Sequence, residues 1–320
     1  MNTLLRFFAA AAVSLSAIIP MNATLRPRPL MPGDTIAILS PSGPIDSTLV
    51  YQAAAKIDSA GFAVKIYPHA FGKSGYCSGT VDERLTDLTD AFTNPNVRAI
   101  ICARGGYGFV HLLDSLQQLP LRDDPKWVVG FSDITAFHGL MASKGIESIH
   151  GLMCAGIRRG FGDPDIAAIF DIMQGRRNAV TFAADSLNHL GTARGRLLGG
   201  NLAVLAQLID TPFDLVQPGS ILFIEDVGEP IYKMERIIYQ LRLSGAIDRL
   251  SGIIVGQFTN YKPDEAFSSM EEMIATTLAP YNIPIVFNAP IGHVDHNVPV
   301  IESADVVLEV TADGVTLRYE

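Results

Sequence analysis

Between residues 35 and 150 short apolar runs alternate with helical segments, and this alternation restricts the fold more than any other feature of the chain. Thr35–Leu39 reads as a buried strand closed by the turn-rich Ser40-Pro41-Ser42-Gly43-Pro44. Ser47–Ala60 has helical spacing and stops at Gly61, Phe62–Tyr67 is a second strand, and Thr80–Phe92 is a helix stopped by Asn94-Pro95. Val97–Ala103 is a third strand, followed by Arg104-Gly105-Gly106-Tyr107-Gly108 and a further helix; Trp127–Gly130 is a fourth. Such a pattern predicts an α/β fold built on a mostly parallel, doubly wound sheet. The rhythm changes after His150. The turn-rich Arg158–Pro164 precedes one helix expected to end near Gln174-Gly175. Residues 24–165 are therefore expected as one domain, 166–190 as a linker, and 191–320 as a smaller β-rich C-terminal domain. Its strands include Ile221–Glu225, Gly252–Gln257, Ile285–Asn288 and a Val306–Val310/Val315–Tyr319 hairpin turning at Asp313-Gly314. Asn201–Ile209 and Tyr232–Ser244 read as helices.

A chain of 320 residues with 48% hydrophobic and 18% charged residues can bury a core of this size. Its net charge of −9 argues against a nucleic-acid partner, because no basic run offsets the acidity. Three scattered cysteines, Cys77, Cys102 and Cys154, form neither a disulfide framework nor a zinc pattern. The first residues differ from the rest. A short start with one positive charge precedes the apolar Phe7–Ile19, a break at Pro20, and Asn22-Ala23. This is the layout of a secretory signal peptide over residues 1–23, with cleavage after Ala23. No cysteine follows the apolar run, so no lipid anchor is expected after cleavage. The expectation is an exported, periplasmic protein.

Four stretches carry candidate chemistry. Ser132 follows the strand Trp127–Gly130 and opens a helix, which exposes a hydroxyl at a strand end; it reads either as a helix cap or as a nucleophile. The loop Arg104–Gly108 has three glycines, so its backbone N–H groups can approach a ligand or an oxyanion closely, or it is simply a tight turn. It matches neither the dinucleotide fingerprint nor the Walker pattern, so no cofactor is implied. Glu225, at the end of an apolar strand, reads as an orienting carboxylate or a solvated acidic turn. Gly292-His293-Val294-Asp295-His296 places a histidine just past a strand, in position for a general base or, with its neighbours, a metal site. His69, His111, His138, His150 and His189 have no comparable setting. An exported two-domain solute-binding protein also fits the overall layout.

Taken together, Pro32-Gly33-Asp34 with Ser40-Pro41-Ser42-Gly43, Ala103–Gly108, Gly130-Phe131-Ser132-Asp133, and Glu225–Glu229 with Gly292-His293 resemble the murein tetrapeptide LD-carboxypeptidases. These are serine peptidases, a family that includes the microcin C immunity proteins. The resemblance runs from about Leu30 to the C-terminus. It implies a Rossmann-like N-terminal domain, a β-rich C-terminal domain and a catalytic site between them. It also implies a Ser132–His293–Glu225 triad that cleaves meso-diaminopimelate from terminal D-alanine in peptidoglycan tetrapeptides. No metal or other cofactor is implied, and a homodimer is expected. Within that frame Gly106 and Asp133 are expected to donate backbone N–H groups to the oxyanion, and Arg104 to recognise the substrate carboxylate. An acyl-nucleotide amidase of the microcin type is the alternative activity. The family's well-studied members act in the cytoplasm, so the apparent signal peptide is a departure.

Overall fold

The structure is a computed structural model and describes residues 24–320. The expected signal peptide, residues 1–23, lies outside the described residues. The chain forms strands β1 (Thr35–Leu39), β2 (Ala63–Ile66), β3 (Val97–Cys102), β4 (Trp127–Gly130) and β5 (Ser148–His150), then β6 (Val180–Phe182), β7 (Gly191–Asn201), β8 (Ile221–Val227) and β9 (Gly252–Thr259). Four more follow: β10 (Ile285–Val286), β11 (Val300–Glu302), β12 (Asp305–Val310) and β13 (Val315–Tyr319). The helices are α1 (Ser47–Ser59), α2 (Val81–Thr93), α3 (Leu113–Leu116), α4 (Thr135–Ser143), α5 (Cys154–Ile157), α6 (Pro164–Met173), α7 (Leu202–Ala206), α8 (Ile231–Leu243) and α9 (Met270–Leu278).

Among the described residues these strands make two sheets. The first runs β11-β5-β4-β3-β1-β2 and is parallel apart from β11. The second runs β10-β9-β8-β7-β12-β13-β6, with three parallel pairings followed by three antiparallel ones. The two-domain α/β architecture is as expected, and the physical reason is legible within single strands. Ile36 and Ile38 pack towards α1 residues Val50, Ala53 and Ile57, while Ala37 and Leu39 face Leu88 and Phe92 of α2. Alternate side chains of a strand point to opposite faces, so a strand apolar on both faces must be covered on both. In the second sheet, Leu198, Leu222 and Val255 pack against α7, α8 and α9. Its other face, through Leu197, Phe223 and Leu308, shares one continuous core with α1 and α6. Each fully buried Leu, Ile or Phe contributes about 1.5–3 kcal/mol relative to exposure, so this shared face holds the two halves together.

Two departures from expectation concern the chain's middle and end. The interval 166–190 is more than a linker with one helix, because it packs into the core and pairs in the second sheet. It holds most of α6, whose Ile166, Ile169 and Phe170 are buried, and β6, which pairs with β13. The helix starts firmly because Asp163 accepts hydrogen bonds from the Asp165 and Ile166 N–H groups, and Pro164 occupies the first turn. Late in the chain β11 returns to the first sheet, pairing antiparallel with β5 as its edge. Among the described residues no helix is long and apolar enough to cross a membrane.

Candidate active site

The nucleophile candidate is set by backbone geometry. β4 ends at Gly130, and Ser132 adopts φ +68°, the left-handed region that L-residues other than Gly enter at a cost of about 1–3 kcal/mol. Two glycines make room for this turn. A Cβ at Gly130 would lie 2.9 Å from Ile134 Cγ2, and one at Gly105 would lie 2.8 Å from Ser132 Cβ and 3.1 Å from its Oγ. The Ser132–Ile134 turn leads into α4, and neither is capped by a side chain. The hydroxyl is therefore not engaged as a helix cap. It stands half-buried at the mouth of two cavities.

The glycine loop lies against this turn. Gly106 and Gly108 adopt φ +112° and +111°, and the Gly43 N–H donates to the Gly105 carbonyl at 2.8 Å. Asp133 Oδ2 accepts the Phe109 N–H at 2.9 Å, which ties the loop's far end to the residue after Ser132. Arg84, buried on α2, donates to the carbonyls of Pro41 and Gly108 and clamps the two turn-rich loops together. Nothing in the local pattern around Arg84 marks that role, because it spans residues far apart in sequence. Arg104 is exposed and donates through Nη1 to the Pro44 carbonyl at 2.7 Å.

The acid–base candidates come from the second sheet. Glu225 is wholly buried in β8, not in a solvated turn. Its Oε2 is 2.7 Å from His293 Nδ1, and its Oε1 has no hydrogen-bond partner among the described residues. Gly292 makes the approach possible: at φ +132°, a Cβ there would meet Glu225 Oε2 at 2.9 Å. The buried Asn297 accepts the Gly292 N–H through Oδ1 at 2.9 Å and so closes the loop that carries His293. Burial pulls the His293 imidazole pKa down, but the Glu225 hydrogen bond and charge, with Asp226 adding, raise it above the ordinary 6.5. With Nδ1 directed at Glu225, Nε2 is the ring nitrogen outside that pair. Phe131, beside Ser132, packs its ring 4.9 Å from the His293 ring.

Neighbouring groups complete the site. Asp226 is pushed up to about 6 by burial, despite accepting the Ala203 and Val227 N–H groups. His138, which is buried, contacts the Gly130 carbonyl and Ser148 Oγ; burial lowers it to about 4, so it is neutral at the pH of most cells. His296 pairs with Asp165 at 2.9 Å, so the two histidines of the 292–297 loop engage separate carboxylates. Among the described residues no group of three or more His, Cys, Asp or Glu side chains is arranged to hold a metal ion.

Ser132 joins two cavities, which also share Gly106 and Val227. The larger, about 610 Å³, is lined by Arg104, Gly105, His293 and the apolar Leu49, Leu152 and Met153. The smaller, about 240 Å³, is lined by Tyr107, Asp133, Asn201, Asp226 and Glu229. The folding thus brings Ser132, Gly106, Arg104 and His293 to one cavity wall, Glu225 behind His293, and Asp133 to the adjoining wall.

Two family models match the chain: the LD-carboxypeptidase N-terminal domain over residues 36–151 and the LD-carboxypeptidase C-terminal domain over 194–308. A protein of Synechocystis sp. with a provisional carboxypeptidase designation is 34% identical over 302 residues, 92% of this chain and 97% of that one. The murein tetrapeptide carboxypeptidase of Pseudomonas aeruginosa is 31% identical over 273 residues, 81% of this chain and 87% of its own. Among solved structures, the muramoyltetrapeptide carboxypeptidase from Oxalobacter formigenes superposes with a TM-score of 0.81 at 27% identity, covering 89% of this chain and 98% of that one.

Proposed function

The chain belongs to the LD-carboxypeptidase family, and on that premise we propose that it is a serine LD-carboxypeptidase. Its substrate on this reading is a peptidoglycan tetrapeptide, cut between the L-centre of meso-diaminopimelate and the terminal D-alanine. The observation that carries the reading is the pair of buried Glu225 and half-buried His293, 2.7 Å apart, with His293 opening onto the same cavity as a serine held at positive φ. Ser132 Oγ attacks the scissile carbonyl while its proton passes to His293 Nε2. Glu225 fixes the Nδ1–H tautomer and stabilises the imidazolium. As the tetrahedral intermediate collapses, the C–N bond breaks and His293 gives its proton to the departing amine of D-alanine. Water, activated by His293 in turn, then hydrolyses the acyl-enzyme and the proton returns to Ser132.

The oxyanion is assigned to the backbone N–H groups of Gly106, which lines both cavities beside Ser132, and of Asp133, the residue after the nucleophile; loss of one such donor typically slows a reaction about 100- to 1,000-fold. Arg104 is assigned to the D-alanine carboxylate; its bond to Pro44 occupies one of the donors of its guanidinium fork. The test is incubation with defined muropeptides and mass spectrometry for D-alanine. Release by the parent, loss in Ser132→Ala and a raised KM at unchanged kcat in Arg104→Lys are the expected results. Full activity in Ser132→Ala rejects the serine mechanism, and unchanged kinetics in Arg104→Lys rejects the carboxylate role. The N-terminal segment extends the proposal to an exported enzyme meeting peptidoglycan fragments in the periplasm. Fractionation of tagged full-length protein decides that, since recovery only in the cytoplasm excludes it.

A further inference from the structure

The nucleophile belongs to the first sheet and the acid–base pair to the second, so the distance between them depends on how the two halves are joined. Besides the Phe131–His293 ring contact, a hydrogen bond joins them beside the site. Thr135, three residues after Ser132 and the first residue of α4, is fully buried, and its Oγ1 accepts the Asn201 N–H at 2.9 Å. Asn201 ends β7 and is the register partner of Glu225 on β8. The approach is close: Gly200 adopts φ +130°, and a Cβ there would lie 2.4 Å from Thr135 Oγ1. Beyond it the same segment is held again, because Asn201 Oδ1 accepts the Val204 N–H and Asp226 Oδ2 accepts the Ala203 N–H. A hydroxyl one helical turn from the nucleophile thus holds the backbone directly beside the acid.

We propose that Thr135 is a positioning residue, a pin between the two halves that sets where Ser132 stands relative to the His293–Glu225 pair. The inference rests on the serine mechanism proposed above. Thr135 lines neither cavity, so its effect falls on the chemical step and not on substrate binding. Displacements of about 1 Å can slow a positioned reaction ~100-fold. Thr135→Val keeps the shape and removes the acceptor, whereas Thr135→Ser keeps the acceptor and removes a methyl group.

In D-alanine release from a defined tetrapeptide, Thr135→Val is expected to lower kcat roughly ten- to a hundredfold with KM unchanged. Labelling of Ser132 by a small fluorophosphonate is expected to slow in parallel, and Thr135→Ser is expected to keep kcat within about threefold of the parent. If Thr135→Val does not fold, Thr135→Ala replaces it with the same expectation. A folded variant without the hydroxyl whose kcat stays within twofold of the parent overturns the pin. So does an equal loss in Thr135→Ser, which would assign the effect to packing. A parent that labels at Ser132 but releases no D-alanine overturns the assigned substrate and leaves the pin to be read from the labelling rates.

Discussion

The two halves of the site reach their geometry by different means. On the nucleophile side the backbone does the shaping: Ser132 at φ +68°, Gly105 against its Cβ, and Gly106 at φ +112°. On the acid–base side a side-chain pair does it, with a carboxylate wholly buried in a strand and answered by one imidazole. The first arrangement stores strain and the second stores charge. Each should therefore fail in its own way.

Stability separates them most sharply. His293→Ala leaves the Glu225 carboxylate buried without its partner, and breaking such a pair costs about 3–5 kcal/mol. Ser132→Gly removes the strained Cβ and is expected to gain up to about 1 kcal/mol. Both variants should be inactive, so denaturant melts with opposite signs of change would establish the contrast. A loss of more than about 1 kcal/mol in Ser132→Gly would remove it.

The pH response sharpens the comparison next. On the proposed mechanism His293 must be neutral to accept the serine proton, and its pKa is raised above 6.5, so kcat/KM should fall on the acid side below that raised value. Glu225→Gln removes the charge that raises it. The acid limb should then move to lower pH, and kcat should fall by roughly 1,000-fold or more as the tautomer is lost. An unmoved limb would show that Glu225 does not set the base. The linkage runs the other way for folding. A raised histidine contributes stability that is fully present below pH 6.5 and is lost as pH rises through the folded-state value. The pair thus stabilises the fold most where the base is protonated and idle.

The smallest of these effects belongs to the nucleophile side alone. Gly105→Ala places a methyl group 2.8 Å from Ser132 Cβ and is expected to lower kcat roughly 10- to 100-fold, without moving the acid limb. A shifted limb instead would mean that the two sides are coupled through the loop.

Much of this was legible in the chain. Strands β1 to β4 and helices α1 and α2 follow from apolar runs punctuated by Gly61, Asn94-Pro95 and Gly130, and the glycine-rich loop and the serine after β4 stand out for the same reason; the sheet's other two strands, β5 and β11, were not legible. Nor was β7, because Gly191-Thr-Ala-Arg-Gly-Arg-Leu-Leu-Gly-Gly-Asn201 has four glycines and two arginines and little strand character of its own. It is a strand because β8 and β12 flank it. The helix ending near Gln174-Gly175 was legible, but not that it packs into the shared core, nor that β6 follows it as a strand.

The sequence alone determined the local turns, since only glycine tolerates the positive φ and close approaches at Gly106 and Gly292, and those positions bracket the candidate chemistry. It also carried the two-face patterning that demands helices on both sides of the first sheet. Only the tertiary structure decided which acid meets His293. Glu225 and Asp226 are adjacent on one strand, and alternation sends one to the imidazole and the other to the start of α7. It also decided how Ser132 is held against that pair. That contact joins Thr135 to Asn201, 66 residues apart, and a hydrogen bond between such distant residues exists only once both sheets are packed.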